Sequence, residues 1–249
     1  MHPEGEVDGG GKMRKRVSIV IPAYNEEESI EKTILSLLHQ TYDNFEMIVI
    51  DNNSTDRTRE IAEKYVKVVT EKEQGYIHAV IRGIKETSGE IVTVCDADTI
   101  YPRNWLKEMM KPFSRNDVVA VYGSAMFKDT NIFMKVFSYL SYSLFLVVSK
   151  MLGLDNTAGF NFLFRREAYE KVGGYRKDWR WASPDIELGK RLKMVGKVVL
   201  KLRPVYTSSR RFKKGGYLKT ATMFCKLWWC MLRNREPVLD YKEYNKSRK

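Results

Sequence analysis

Two aspartates alternate in Asp96-Ala97-Asp98, one residue after the segment 90–94 (EIVTV), which is predicted to form a β-strand. Because alternate residues of an extended chain point to the same side, both carboxylates can face one edge of a sheet. Carboxylates without neighbouring His or Cys suit Mg²⁺ or Mn²⁺ ions that carry substrate phosphates. We therefore predict a metal site with Asp96 and Asp98 as ligands, although an isolated motif of this kind often only caps a turn.

A third aspartate, Asp185, follows Pro184 at the start of a helix predicted over residues 184–195. An aspartate in this position commonly caps the helix. If the helix faces Asp96 and Asp98, however, Asp185 can take a proton from a hydroxyl as a general base. Glu187, two residues further on, is the next candidate for that role.

Two adjacent arginines, Arg210 and Arg211, are candidates for binding a diphosphate, because guanidinium groups match phosphate oxygens well. A solvated basic surface is the alternative interpretation. The chain carries a formal net charge of +12, which predicts an anionic partner. There is no glycine-rich nucleotide-binding fingerprint, Walker lysine motif, helix–turn–helix or aromatic RNA-binding signature, so no nucleic acid partner is expected.

The elements that must position these residues alternate between apolar runs and helical patterns. Near-continuous apolar strands separated by helices favour a parallel sheet that is covered on both faces. Ligands bind such sheets beyond the carboxyl ends of the strands. The predicted strands are 17–22, 45–50, 66–69 and 90–94, and the helices are 25–40, 57–65 and 76–86. After residue 98 we predict helices 104–113 and 166–172 and strands 118–123 and 198–202.

Two apolar stretches need a separate explanation. Residues 136–149 form an uncharged run that is shorter than the roughly 20 residues needed to span a bilayer. This run predicts either a buried helix or an interfacial helix lying on a membrane. A second stretch contains Trp228 and Trp229, and the segment 203–249 around it holds 13 Lys or Arg against 3 Asp or Glu.

The length of 249 residues suits one large domain or two small ones, and 3 Cys exclude a disulfide scaffold. Residues 1–14 are polar and predict a flexible leader without a secretory signal. We assign residues 15–211 to a catalytic domain, with a nucleotide-sugar-binding half (15–100) and an acceptor half (101–211). Residues 212–249 form a basic, aromatic, helical tail.

Five segments in order resemble the inverting glycosyltransferase family 2, which has the GT-A fold. They are SIVIPAYNE, HQTYDNFEMIVIDNNSTD, DADTIYPRNW, GFNFLFRREAYEKVGGYRKD and PDIELGKRLKMVGK, and the resemblance covers about residues 17–211. It implies an α/β fold with a mostly parallel, Rossmann-like, nucleotide-sugar-binding central sheet flanked by helices. It further implies a UDP- or GDP-sugar donor, a divalent metal and a hydroxyl on a glycan or lipid-linked acceptor, with Asp185 as the catalytic base.

The resemblance also implies where the substrates bind. On the donor side we expect Pro22, Ala23, Tyr24, Glu26, Asp51, Asn52, Asp96, Ala97, Asp98, Arg210 and Arg211. On the acceptor side we expect Gly159, Asn161, Trp181 and Glu187, whereas Arg165 and Arg166 of the same segment suit a structural role.

Three positions depart from the family pattern. Asn52 stands where an aspartate usually meets the nucleobase, and its amide can still donate and accept hydrogen bonds. Pro184 replaces the glutamate before the base. Residues 74–76, Gln-Gly-Tyr, replace the usual Asn-x-Gly-Lys.

Two other functions remain open from the sequence. A nucleotidyltransferase has a similar sheet, but it would usually need a basic, glycine-rich loop where this chain has PAYNEEES. A binding protein without catalysis, either a sugar-nucleotide sensor or a basic nucleic-acid binder, is the other alternative. For an enzyme with the features above we expect a cytoplasmic location, at the cytoplasmic face of a membrane.

Overall fold

A computed structural model describes residues 15–179 and 183–233. Its centre is a seven-stranded sheet with the strand order β3-β2-β1-β4-β6-β5-β7. Only β6 runs against the others, because it pairs antiparallel with both β4 and β5. The strands are β1 (Val17–Ala23), β2 (Phe45–Asp51), β3 (Lys67–Thr70), β4 (Ile91–Val94), β5 (Val118–Phe127), β6 (Phe162–Arg165) and β7 (Lys197–Thr207). The predicted mostly parallel sheet is confirmed.

Helices cover both faces of the sheet. They are α1 (Ile30–Leu38), α2 (Thr58–Glu63), α3 (Tyr76–Lys85), α4 (Trp105–Met110), α5 (Ile132–Met151), α6 (Arg166–Lys171), α7 (Pro184–Leu192), α8 (Arg210–Gly215) and α9 (Tyr217–Leu232). In β1, Ile19 and Ile21 belong to the core that also contains residues of α1 and α4, whereas Val20 belongs to the core that contains residues of α3 and α7. The alternation in one buried strand therefore supplies two cores, one on each face.

Several predicted boundaries move in the structure. The helix predicted over 25–40 begins only at Ile30, because the preceding loop is tied to the loop after β2. The backbone N–H of Glu26 donates to Thr58 Oγ1 at 2.7 Å, and the N–H of Glu27 donates to Asp56 Oδ2 at 3.1 Å. Strands β5 and β7 are longer than predicted, and β6 was not predicted at all.

Helix α5 is also longer than the apolar run at 136–149. It has 20 residues, and an 18-residue window within it has a mean hydropathy of 1.6 with 17% of that window buried, so its length and composition are those of a helix that could cross a membrane. The prediction that this segment is too short to span is therefore wrong on length. Nor is α5 a buried helix, because only Ser143, Leu146 and Ser149 are buried in it.

Candidate active site

The loops after β1, β2 and β4 meet at one edge of the sheet because these three strands are parallel neighbours. Ala23 pairs with Asp51 at the ends of β1 and β2, and the N–H of Asn52 donates to the carbonyl of Ala23 at 2.8 Å. The N–H of Cys95 donates to the carbonyl of Val20 at 2.8 Å, which fixes the start of the Asp96-Ala97-Asp98 loop. The predicted donor-side residues therefore lie along one rim.

A cleft of about 680 Å³ opens beside this rim. Asp96, Asp98, Asp185 and Arg210 all line it, although Asp185 and Arg210 belong to helices far along the chain. The structure thus brings together the predicted metal ligands, the predicted base and one of the two predicted diphosphate-binding arginines. The side chain of Arg211 lies outside the described part of the structure.

Arg210 joins three parts of the site. Its guanidinium donates to Glu26 Oε1 at 2.6 Å and to Asp98 Oδ2 at 3.1 Å. Lys128 adds a second cation, because its ammonium donates to the carbonyl of Asp98 at 2.7 Å, and its burial lowers its pKa. Arg210 therefore lines the cleft, where it can neutralise a bound anion, and Lys128 adds positive charge behind Asp98, outside the cleft lining.

Asp185 lies in the first turn of α7 and is nearly inaccessible to solvent, at 7% exposed. Tyr175 donates a hydrogen bond to its Oδ1 at 2.6 Å, and the Tyr76 hydroxyl stands 3.5 Å from the same oxygen. Burial raises the pKa of Asp185 to about 6, against the opposing effect of the Tyr175 hydrogen bond. A buried carboxylate with a raised pKa that lines a cleft has the properties of a general base.

Gly159 leaves the room that Asp185 and Tyr76 need in order to approach each other. A Cβ atom at this position would lie 2.4 Å from the Tyr76 hydroxyl and 3.1 Å from Asp185 Oδ2. The hydroxyl of Thr157, in the same segment, donates to the Asp185 carbonyl at 2.6 Å and anchors the first turn of α7. The segment 157–161 therefore holds the candidate base in place.

The family model described as "Glycosyl transferase family 2" matches residues 18–173. This match covers more than half of the chain. The chain belongs to glycosyltransferase family 2. Both the predicted resemblance and the predicted GT-A fold are confirmed, since the similar solved structures are GT-A glycosyltransferases.

Among curated relatives, the chain is 36% identical to a dolichol-phosphate mannosyltransferase of Pyrococcus furiosus over 113 residues, which are 43% of this chain and 32% of the relative. It is 34% identical to the UDP-Glc:alpha-D-GlcNAc-diphosphoundecaprenol beta-1,3-glucosyltransferase WfgD of Escherichia coli, over 43% of this chain and 45% of that protein. The chain spans only about a third to a half of the curated relatives that it matches.

Two solved structures share the fold. The mannosyltransferase PcManGT from Pyrobaculum calidifontis, in complex with GDP-Man and Mn²⁺, superposes with a TM-score of 0.71 at 23% identity, covering 88% of this chain and 63% of that one. Glucosyl-3-phosphoglycerate synthase from Mycobacterium tuberculosis, in complex with Mn²⁺, UDP and glucosyl-3-phosphoglycerate, has a TM-score of 0.60 at 21% identity, covering 91% and 81%.

Asn52 marks one departure of this family 2 chain from the family pattern, and its amide is used within the protein. Its Nδ2 donates to the carbonyls of Glu71 and Glu73 at 3.0 and 2.8 Å, and its Oδ1 accepts from the N–H of Gly75 at 2.7 Å. Gly75 has φ +147°, a conformation that favours glycine. Asn52 therefore shapes the loop that leads into Tyr76, whatever contact it makes with a base.

Two residues expected on the acceptor side face elsewhere. Asn161 is fully buried, accepts from Trp105 Nε1 at 2.9 Å, and donates to the carbonyls of Ser124 and Arg203 at 2.8 and 2.9 Å. It therefore cannot face a sugar, because all its polar atoms are used within the core. Glu187 pairs with Arg191 at 2.6 Å and does not line the cleft, and Trp181 lies outside the described residues.

The arginines next to Asn161 are structural in this family 2 fold, as the sequence suggested. Arg165 donates to the carbonyls of Phe113, Arg115 and Val118 at 2.7 to 3.0 Å. Arg166 donates to the carbonyls of Ile84 and Gly89, at 2.8 Å each. Both side chains therefore hold the segments that precede β4 and β5, and neither lines the cleft.

Tyr175 and Lys128 are two residues next to the site that no sequence motif indicated. Tyr175 stands ten residues before Asp185 in GGYRKD, and Lys128 follows β5 in a segment without a recognisable motif. Only the fold brings them to Asp185 and Asp98. In the sequence, Tyr76 stood out only because residues 74–76 depart from the family pattern, and nothing there indicated its position near Asp185.

The other half of the cleft is apolar, which the motifs did not predict. Helices α5 and α9 form this wall, where the centres of the Phe145 ring of α5 and the Trp228 ring of α9 lie 5.9 Å apart. The wall includes Phe137, Tyr142, Phe145, Phe224, Leu227 and Trp228. The only sequence signals were the two apolar stretches around residues 136–149 and 223–232.

The residues present fit a divalent cation that arrives with its substrate. Within 15–179 and 183–233, no group of three or more His, Cys, Asp or Glu could hold a metal by itself. Asp96 and Asp98 supply carboxylate oxygens at the rim of the cleft. Mg²⁺ typically uses one or two carboxylates and completes its shell with phosphates and water, so this small donor set matches a metal–diphosphate complex.

Proposed function

We propose that this protein is an inverting glycosyltransferase that moves a hexose from a UDP- or GDP-sugar to an acceptor hydroxyl. One observation supports this proposal above the others: Asp96, Asp98 and Asp185 line the same cleft, although they come from different elements. The names of the solved structures add support, because they mention Mn²⁺ with GDP-Man in one case and with UDP in the other. Family membership disfavours the nucleotidyltransferase alternative.

On the donor side, Asp96 and Asp98 would hold Mg²⁺ or Mn²⁺ together with the diphosphate. Once bound, the cation would act as a Lewis acid that stabilises the departing nucleoside diphosphate. Arg210 and Lys128 are already next to Asp98, so they can add positive charge on the same side. The contact between Arg210 and Glu26 also holds the loop after β1 against α8, and this closes one side of the donor site.

On the acceptor side, Asp185 would take the proton of the acceptor hydroxyl while the oxygen attacks the anomeric carbon from the face opposite the diphosphate. This in-line attack breaks the bond to the diphosphate and inverts the anomeric centre. Because its pKa is raised to about 6, Asp185 is ionised at neutral pH and is still a stronger base than an exposed aspartate. Tyr175 keeps the carboxylate oriented through Oδ1.

The acceptor that suits this cleft is lipid-linked rather than a fully polar glycan. Beyond Asp185 most of the wall is formed by apolar side chains from α5 and α9, including Phe145 and Trp228. An apolar surface beside a reacting hydroxyl favours an acceptor with an apolar portion. Relatives whose names specify dolichol phosphate and diphosphoundecaprenol acceptors support the same class.

Isothermal titration calorimetry against a panel of UDP- and GDP-sugars, with Mn²⁺ or with a chelator, tests the donor side. We expect at least one donor to bind with Mn²⁺ and to bind at least about 100-fold more weakly in chelator, since Asp96 and Asp98 would then have no cation with which to hold the diphosphate. Asp98→Asn should reproduce that loss. Asp117→Asn is the matched control, because Asp117 forms its ion pairs with Arg115 and Lys197 at the far end of β5.

Equal affinity in Mn²⁺ and in chelator would contradict the metal role, and no binding of any sugar nucleotide would contradict the donor class. Binding without any release of nucleoside diphosphate, with or without lipid acceptors, would instead indicate a binding protein without catalysis.

A further inference from the structure

One face of α5 is apolar and exposed along the whole helix. We define the α5 stripe as Phe133, Phe137, Leu140, Leu144, Val148 and Met151, which recur every three or four residues and are all exposed. This spacing places them on one side of a helix about 30 Å long. Such a continuous apolar surface on a protein usually marks an interaction site.

The opposite face of α5 is fixed to the protein. Ser138 Oγ accepts from the N–H of Phe127 at 3.2 Å, and Ser149 Oγ accepts from Trp228 Nε1 at 2.8 Å. Leu146 is fully buried between these two anchors. Because α5 is attached to the rest of the protein from Ser138 to Ser149, it lies along the sheet with its stripe facing outward, and this favours contact with a surface over a membrane crossing.

Helix α5, which carries the stripe, and its neighbour α9 are basic in sequence. Each of the two helices carries two Lys and no Asp or Glu, and one of the four, Lys150, is already paired with Asp155 at 2.6 Å. Trp229 of α9 is 48% exposed, and the guanidinium of Arg233 lies 4.1 Å from the centre of its ring. Aromatic and basic side chains beside an apolar helix face suit the boundary between headgroups and acyl chains.

We infer that the α5 stripe rests on the headgroup–acyl boundary of an anionic lipid bilayer. A second copy of the chain is a poorer occupant, because it would bring two helices with Lys and without acidic residues together. Phe137 belongs both to the stripe and to the wall of the cleft, so the rim of the cleft lies at the proposed bilayer surface. A lipid-linked acceptor could then enter without leaving the membrane.

This surface contact goes beyond the proposed function and needs neither donor nor catalysis. Co-sedimentation of the full chain with vesicles of phosphatidylcholine containing about 30% phosphatidylglycerol, at about 50 mM and about 500 mM NaCl, tests the contact. We expect binding that weakens in high salt. The double variant Leu140→Ser/Leu144→Ser should bind vesicles at least about tenfold more weakly. In the wild type both leucine side chains leave water when the stripe enters the bilayer, and serine does not gain free energy in this way.

The matched control is Leu38→Ser/Met194→Ser, which removes two exposed apolar side chains elsewhere and should bind vesicles like the wild type. Leu140 and Leu144 do not line the cleft, so metal-dependent donor binding by the double variant should equal that of the wild type. A protein that binds vesicles but no sugar nucleotide would retain this inference and contradict the proposed function.

Three results would overturn the inference. The first is a folded wild type that ignores anionic vesicles at low salt. The second is a Leu140→Ser/Leu144→Ser variant that binds vesicles as tightly as the wild type. The third is a dimer, measured by light scattering, that this variant dissociates while neither protein binds vesicles, since the stripe would then be a protein interface.

Discussion

At the scale of single residues, Asp185 combines two opposing demands. Its burial makes the carboxylate more basic, and the same burial makes the charged form costly to the fold. Tyr175 offsets part of that cost with one short hydrogen bond. The Asp185 carboxylate in the first turn of α7 is therefore favourable for proton transfer, while its charged form lowers the stability of the fold.

We expect Asp185→Asn to lower the rate of sugar transfer by about 10²–10⁴, because the amide keeps the shape but cannot accept the proton. In the wild type, kcat/KM should fall about tenfold per pH unit below about pH 6, where Asp185 becomes protonated. The measurement is nucleoside diphosphate release as a function of pH, with the donor identified by calorimetry.

Glu187→Gln is the control, since it lies two residues away in the same helix and pairs with Arg191. It should keep the wild-type rate and pH profile. If Glu187→Gln lost activity while Asp185→Asn kept it, the base would be Glu187. The Glu187 side chain would then have to move into the cleft, which it does not line in the structure.

At the scale of elements, the buried side-chain amide of Asn161 connects several elements of the acceptor half. Asn161 connects the segment before β6 with α4, β5 and β7 through Trp105, Ser124 and Arg203. Gly123 provides the space, because a Cβ there would lie 2.3 Å from Asn161 Nδ2. These contacts set the position of the segment that holds Thr157 and Gly159 beside Asp185.

We expect Asn161→Ala to lower the free energy of unfolding by about 3 kcal/mol, because it leaves several buried polar groups without partners. Asn104→Ala, which removes an exposed amide that contacts Thr41, should cost less than about 1 kcal/mol. Urea unfolding gives both values. A small effect of Asn161→Ala on stability, together with a large rise in the acceptor KM, would show instead that Asn161 meets the acceptor.

At the scale of the whole molecule, the dependence of stability on pH combines two opposite contributions, because folding lowers the pKa of Asp117 and raises that of Asp185. Arg115 and Lys197 lower the pKa of Asp117 to about 2, so this carboxylate stabilises the protein above about pH 4 and loses that effect as the pH falls. Asp185 acts in the opposite sense, because its pKa is higher in the folded chain than in the unfolded one. Between about pH 4 and 6 the folded state therefore holds more protons at Asp185.

The consequence is that Asp185 should make the wild type less stable as the pH rises through this window. Relative to Asp185→Asn, the free energy of unfolding of the wild type should fall by about 2 kcal/mol between about pH 4.5 and about pH 7.5. Urea unfolding of both proteins at the two pH values measures this difference. Parallel pH profiles would show that Asp185 titrates normally in the folded protein.

The sequence by itself was sufficient for the family, the parallel half of the sheet and the positions of Asp96, Asp98 and Asp185. These features are local, since strand-end carboxylates and a helix start follow from hydrophobic periodicity and motif order. The boundary of α1 was misplaced because residues 25–27 form hydrogen bonds with a loop about 30 positions away, and no local pattern reports such a contact.

Only the tertiary structure decided what surrounds those residues. The reversed strand β6 lies between β4 and β5, and its place in the sheet depends on pairing across dozens of residues. That arrangement buries Asn161, brings Tyr175 to Asp185 and places Lys128 and Arg210 beside Asp98. The apolar character of α5 is legible in the sequence, but which of its faces is covered depends on packing against β5 and α9, because burial is a property of the assembled chain.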